Sequence, residues 1–132
     1  MSEAPKRMEE VALWTQKAEH DFLAPEHVME SAKQGLTDIG CLHSQRCAEE
    51  YLKALLLYRG IAFPKTHDLR LSLDLIPTDI SLELQREEVI PLNCCAIEGR
   101  YPGDWEPITP AEAQRASEMA QAVRQAVLRQ FP

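Results

Sequence analysis

The run from His43 to Leu56, His-Ser-Gln-Arg-Cys-Ala-Glu-Glu-Tyr-Leu-Lys-Ala-Leu-Leu, restricts the folds open to this chain more than any other segment. At 100° per residue, Cys41, Gln45, Ala48, Leu52, Leu55 and Leu56 gather on one side of a helix. His43, Arg46, Glu50 and Lys53 fall on the opposite side, at spacings of three, four and three. An apolar stripe has to be buried against other elements, and a stripe of titratable groups behind it gives the same helix a polar site. Such a helix belongs in a bundle.

Turn chemistry divides the rest of the chain into further helices, with no segment read as alternating with period two. Residues 8–24 read as a first helix with Val11, Leu13, Trp14, Ala18 and Phe22 inward. Pro25 has no amide hydrogen and is expected to kink or interrupt it. The helical pattern resumes at about 26–34 and stops at Gly35. Thr37 or Asp38 can cap the second long helix, which runs to about Arg59 and ends at Gly60. Thr66 is read as the cap of a short helix over about 67–76, which Pro77 terminates. Ser81 opens a fourth helix of about 81–98, kinked at Pro91. Thr109-Pro110-x-Glu112 is a well-formed start signal for the last one, whose inner face carries Ala116, Met119, Ala120, Val123, Val127 and Phe131. The expected architecture is an all-α, up-and-down four-helix bundle with additional short helices, a single domain over residues 1–132.

A chain of 132 residues is long enough to bury about two-thirds of its unfolded surface. Its four cysteines read as neither a disulfide framework nor a metal site: Cys94 and Cys95 are adjacent, Cys41 and Cys47 are six apart, and there is no Cys-x-x-Cys. The first ten residues are charged and lack the apolar stretch of a signal peptide. No apolar run approaches a membrane span of about 18 residues. The expectation is a reduced, cytoplasmic protein without a cofactor. A net charge of −7 argues against a general nucleic-acid coat, while leaving room for a local basic pocket.

Each candidate site residue has a functional and a structural reading. His43 can carry a proton or hold a phosphate, since an unperturbed imidazole changes charge near physiological pH, or it can bond a neighbouring helix. Arg46 can bind phosphate through its planar fork, or pair with Glu50 one turn on. Glu49 and Lys53 form an i,i+4 pair in the better orientation, available to a ligand or simply to the helix. Lys65, His67 and Asp68 sit at a helix start, where free N–H groups favour an anion. Arg100, before Tyr101-Pro102, can reach into the bundle as a further cation. Scattered single glycines exclude a phosphate-binding Gly-rich loop.

Several of these positions together resemble the HEPN family, small helical domains of prokaryotic toxin–antitoxin and defence systems and of some eukaryotic proteins. The family pattern of a histidine, a glutamine two residues on, then Ala-Glu and Leu-Lys-Ala-Leu-Leu is met by His43, Gln45, Ala48-Glu49 and Leu52 to Leu56. Its Pro-x-Thr-His-(Asp/Asn)-Leu element is similar to Pro64–Leu69, its late Arg-Tyr-Pro to Arg100–Pro102, and its first helix to Trp14-x-x-Lys17-Ala18-x-x-Asp21. The resemblance spans roughly residues 11–128.

It implies a homodimer that binds a nucleotide or an RNA phosphate, the helical half of a two-component module with a minimal nucleotidyltransferase. The ligand-binding candidates it marks, with those read from the helix faces, are His43, Arg46, Glu49, Lys53, Lys65, His67 and Arg100. Ribonuclease members of the family use an arginine, four to six intervening residues, then a histidine. Here Arg59 and His67 have seven residues between them, no histidine follows Arg100, and His43-x-x-Arg46 runs in reverse order. His43, His67 and Arg59 therefore stand as catalytic candidates without the motif, and no robust RNA cleavage is expected. A metal-independent endoribonuclease toxin and a non-catalytic interaction domain are the alternatives.

Overall fold

A computed structural model describes residues 3–30, 36–95 and 109–132, with side chains over 6–24, 40–93 and 109–132. Among the described residues it is all helical. Helix α1 spans Glu3–Glu30, α2 Leu36–Tyr58, α3 Leu69–Leu75, α4 Arg86–Val89 and α5 Pro110–Leu128. A 3-10 segment, Ile90–Cys95, continues from α4. Arg100-Tyr101-Pro102 lies outside the described residues, as does the whole 31–35 connection with Gly35.

Helix α2 is the element against which the others pack: α1, α5, α3 and the 3-10 segment all contact it. Every position from Cys47 to Leu56 is buried. An ordinary amphipathic helix leaves its polar face in water. Over those residues α2 is covered on all sides, and the expected separation into a buried stripe and an open titratable stripe does not hold there, although Arg46 just before them stays exposed. The apolar side is as read: Cys41, Gln45, Ala48, Leu52, Leu55 and Leu56 are all buried. On the other side Glu50 and Lys53 are buried as well, at 3% and 5% exposure. Their polar ends are met by groups from α1, from α2 itself and from the loop after α2.

The end of α2 follows from its sequence. Gly60 takes φ +73°, a conformation that costs glycine nothing. That turn lets the Gly60 amide donate to Leu57 O at 2.9 Å and the Ile61 amide to Leu56 O at 2.8 Å. Two of the last carbonyls are thereby satisfied in a Schellman closure.

Several boundaries differ from expectation. Helix α1 runs through Pro25, because a proline removes a single N–H bond and the turns on either side remain available. Leu13 is 64% exposed and does not face the core, whereas Val11 and Ala18 do. Asp68, not Thr66, caps α3, its carboxylate accepting from the Arg70 amide at 3.0 Å. The helix expected over 81–98 is replaced by an irregular stretch before α4 and the 3-10 segment. Ile80 and Leu82 are buried, Leu84 half-buried, and Ser81, Glu83 and Gln85 between them exposed. That alternation is a period-two signal present in the sequence and not recognised there. Cys41 is disulfide-bonded, which corrects the reading of the cysteines as unpaired; the side chain of its partner lies outside the described residues. Cys47 is free and buried.

Helix α5 forms as predicted. Thr109 Oγ1 accepts from the Glu112 amide at 3.1 Å, and the Glu112 carboxylate accepts in return from the Thr109 amide at 3.3 Å. Ala116, Ala120, Val123 and Val127 are buried against α2, with Met119 and Phe131 packed at the margin.

Replacing Leu52, which is fully buried, with alanine should lower unfolding free energy by about 2–5 kcal/mol. Denaturant titration followed by circular dichroism measures this directly. A loss under about half a kcal/mol would contradict the burial of α2 described here.

Candidate functional site

Two polar clusters are built on the buried sides of α2. The first joins α2 to the loop at 61–68. Lys53 Nζ donates to Glu49 Oε1 at 2.6 Å and to the Thr66 carbonyl at 2.8 Å. Gln45 Nε2 donates to Glu49 Oε2 at 3.2 Å and to the His67 carbonyl at 3.0 Å. His67 Nδ1 lies 2.9 and 3.0 Å from the two Glu49 oxygens. A carboxylate supplies only acceptors, so in the neutral ring Nδ1 carries the hydrogen and Nε2 is the acceptor nitrogen. The Lys53 ammonium also lies 5.6 Å from the Trp14 ring and 5.8 Å from the Phe63 ring. A lysine can remain charged here because a carboxylate, a carbonyl and two aromatic faces replace the water it has lost. The sequence reading of Glu49–Lys53 as a surface helix pair is corrected: the pair is buried and clamps the His67 loop.

The second cluster lies between α1 and α2. His43 Nδ1 is 2.7 Å from Asp21 Oδ1, and Lys17 Nζ is 3.1 Å from Glu50 Oε2. Glu50 Oε1 finds no donor. Burial, reinforced by the neighbouring Asp21 carboxylate, pushes the Glu50 carboxyl up to about 8, against the opposing pull of Lys17. At neutral pH Glu50 therefore retains a proton, which gives the otherwise acceptor-only pair of carboxyl groups a donor. Buried beside them, the Cys47 thiol is pushed well above its ordinary range, chiefly by desolvation, and is unreactive as a nucleophile.

Arg46 stands on the solvent side of α2, one turn before Glu49 and Glu50. Those two carboxyl groups anchor the first and second clusters, so Arg46 lies between them. It has no ion-pair partner among the described residues; Glu50, its expected i,i+4 partner, pairs with Lys17 instead. Lys65 is exposed in the loop beside the first cluster, and the His67 side chain is 48% exposed. A strip with several cationic or protonatable groups thus runs along the seam of an acidic protein. Its chemistry is that of an anion site: one free guanidinium, with an imidazole held by a carboxylate on either side.

The structure does not bring all the candidates together. Arg59 donates to Asp79 at 2.9 Å on the surface, whereas His67 is held by Glu49, so the two do not share a site. Arg100 lies outside the described residues. The start of α3 is not open to an anion, since Asp68 already occupies it. Burial raises the Asp68 carboxyl, but hydrogen bonds from the Arg70 amide and side chain and from Asn93 outweigh this and hold it below the usual range. Asn93, from the 3-10 segment, donates to Asp68 Oδ1 at 2.8 Å while its own carbonyl oxygen accepts from the Leu69 amide at 2.9 Å.

Lys17 and Asp21 were absent from the site read in the sequence; four residues apart on α1, they meet α2 partners seven residues apart, Glu50 and His43. Gln45 was assigned to the apolar stripe, and its role as a donor to the His67 loop was missed.

The buried Glu50 carboxyl generates a pH test. Its folded-state pKa is raised, so the native protein binds more protons than the unfolded chain from about pH 4.5 to about 8. The stability it contributes is full below that window and is lost as pH rises through it. Glu50→Gln removes this dependence. The variant should gain stability relative to the parent as pH is raised from about 5 to about 8.5, measured by denaturant titration at each pH. A constant difference across that range would show that Glu50 is ionised in the fold.

Comparison with known families matches the HEPN domain over residues 11–130, nearly the whole chain. No curated protein and no solved structure matches. No helix among the described residues is long and apolar enough to cross a membrane. On its family match and its helical architecture, this chain belongs to the HEPN domain family.

Proposed function

We propose that this HEPN domain binds a nucleotide or an RNA phosphate at the seam of α1, α2 and the 61–68 loop, as the helical half of a two-component module with a minimal nucleotidyltransferase. One observation carries the anion reading: exposed Arg46 has no ion-pair partner among the described residues, and each adjacent cluster presents a carboxylate-held imidazole. An arginine without a carboxylate has its donors available, and its fork matches two phosphate oxygens at once. Lys53, a candidate from the sequence, serves the reading from below, by fixing Glu49 and through it His67. The nucleotidyltransferase partner and the toxin–antitoxin setting rest on the family alone, and the cytoplasmic setting on the sequence reading alone.

Calorimetry with ATP, GTP and short RNA at low and high salt tests the site. Arg46→Ala should weaken binding by about ten-fold or more, the loss of a charge-assisted contact, and should flatten the salt dependence. Unchanged affinity in Arg46→Ala would place the ligand elsewhere, and absence of binding to the parent would end the anion reading.

The homodimer reading is supported by a groove of about 1220 Å³ between α1 and α5, lined largely by apolar groups that include Met8, Val11, Leu23, Leu128 and Phe131. Helix α1 contributes a groove wall and also the exposed Met8, Leu13 and Leu23. One patch that offers both a groove and protruding apolar groups can meet its own copy about a two-fold axis. Light scattering at micromolar concentration should give about twice the chain mass, and Leu23→Glu should shift it toward the monomer. A monomer in the parent protein would remove this reading.

A further inference from the structure

A depression of about 230 Å³ lies on the solvent side of α1, lined by Glu10, Leu13, Trp14 and Lys17. These positions share one helix face over two turns. The Trp14 ring is fixed on its inner side. It meets Phe63 edge-to-face, with centroids 5.9 Å apart and planes at 80°, and the buried Lys53 ammonium is shared between the two rings. An aromatic ring already immobilised beside open volume loses little freedom when a second flat ring stacks on it.

The rim carries groups of both signs. Lys17 is exposed, with its ammonium 5.5 Å from the Trp14 centroid. Its side chain is 65% exposed, so the ammonium that donates to Glu50 Oε2 at 3.1 Å keeps further N–H donors for an anion. Glu10 is an exposed carboxylate with no ion-pair partner among the described residues. Carboxylates only accept hydrogen bonds, so the ligand edge that meets Glu10 must donate. Leu13 adds an apolar flank. The volume is below the range of about 300–1,000 Å³ that encloses a whole small molecule, so it suits a base whose sugar and phosphate continue outside. Along α1, a rise of 1.5 Å per residue puts Lys17 about 4.5 Å and Asp21 about 10 Å beyond Trp14. Lys17 touches Glu50, one turn from Arg46. Base platform and anion site are therefore about one nucleotide apart.

We propose that Trp14 is the stacking platform for the base of a purine nucleotide, with Glu10 accepting from its donor edge and Lys17 and Arg46 holding its phosphate. Guanine is the favoured base: its N1–H and exocyclic amino group present two adjacent donors that a carboxylate can accept together, whereas the Watson–Crick edge of adenine offers one amino group. This inference rests on the anion site proposed above and adds the identity of what carries the anion.

The chain has two tryptophans, so a Trp105→Phe background makes fluorescence report on Trp14. Titration with GMP, AMP, UMP, ribose 5-phosphate, uncharged guanosine and a short RNA with or without guanine separates base from phosphate, and free nucleotide from RNA. Quenching by GMP should exceed that by AMP and UMP. In calorimetry Trp14→Leu should weaken GMP by about ten-fold or more and leave ribose 5-phosphate unchanged, Trp14→Phe should retain most of the affinity, and Glu10→Gln should narrow the preference for GMP over AMP. Circular dichroism of each variant checks the fold, and the phenylalanine variant preserves the test if the leucine variant unfolds. Equal binding of GMP and ribose 5-phosphate, with no effect of either Trp14 variant, overturns the platform and leaves the anion site standing. If no phosphate ligand binds, the anion site falls, and guanosine decides the platform: quenching by guanosine sustains it, and no response overturns it.

Discussion

A charged lysine buried in the middle of α2 is the constraint around which the rest is arranged. An ammonium ion without water is tolerable only when other groups complete its shell, and Lys53 has Glu49, the Thr66 carbonyl and the faces of Trp14 and Phe63. These come from α2, the 61–68 loop and α1. Satisfying one cation therefore fixes the loop path after α2, the rotation of α1 and the orientation of His67. Removing either charge of such a pair leaves the other buried and uncompensated, typically a loss of about 3–5 kcal/mol.

Helix α1 is tied to both long partners by polar contacts of a different kind. The Glu19 carboxylate receives the Arg124 guanidinium from α5 in a two-pronged pair at 2.8 and 2.9 Å, and also accepts from the Tyr51 hydroxyl of α2. The Arg124 contact holds the Glu19 carboxyl below its ordinary range, burial notwithstanding, while desolvation and the Glu19 charge push the Tyr51 hydroxyl up. The Arg124 guanidinium stacks 4.6 Å from the Phe22 centroid. One carboxylate thus joins three helices at the floor of the α1–α5 groove, where apolar contact between α1 and α5 is sparse. Farther along the seam, Lys17 meets Glu50 and His43 meets Asp21, while burial beside Asp21 raises the Glu50 carboxyl. Both solutions keep carboxyl groups out of water without leaving two unopposed negative charges.

The helices that were legible in the sequence are those with local punctuation. Thr109-Pro110-x-Glu112 states its own capping geometry, and Gly60 states the end of α2, because each is decided within a few residues. What the sequence could not state was the direction in which polar side chains of α2 would find partners. Glu50 and Lys53 look like a solvent stripe as long as their neighbours are unknown, and only the arrival of Lys17, Asp21 and Thr66 from elsewhere makes burial tolerable. Pro25 misled because the cost of a missing N–H bond was taken to be decisive. The 80–85 segment misled for the opposite reason: its alternation is local and readable, but Ser81 reads as a helix start, and the alternation around it was not recognised as period two. At the site, residue types were recognised better than their groupings. His67 and Glu49 proved to be one unit, while Arg59, nearer to His67 in sequence than Glu49 is, has its own partner on the surface.

The bridge made by Asn93 has a consequence for the lifetime of the fold. Its amide presents its oxygen to a backbone N–H and its nitrogen to the Asp68 carboxylate, so only one of its two orientations is compatible with both neighbours. Slow hydrolysis of that amide to a carboxylate, an ordinary form of protein ageing, would replace the donor with a second acceptor against Asp68. The two negative groups would repel within the turn that follows His67. The start of α3 and the loop presenting the imidazole would loosen together, leaving the distant α2–α5 packing intact. An aged molecule would in that case keep its helices while losing the order of the segment nearest the proposed site.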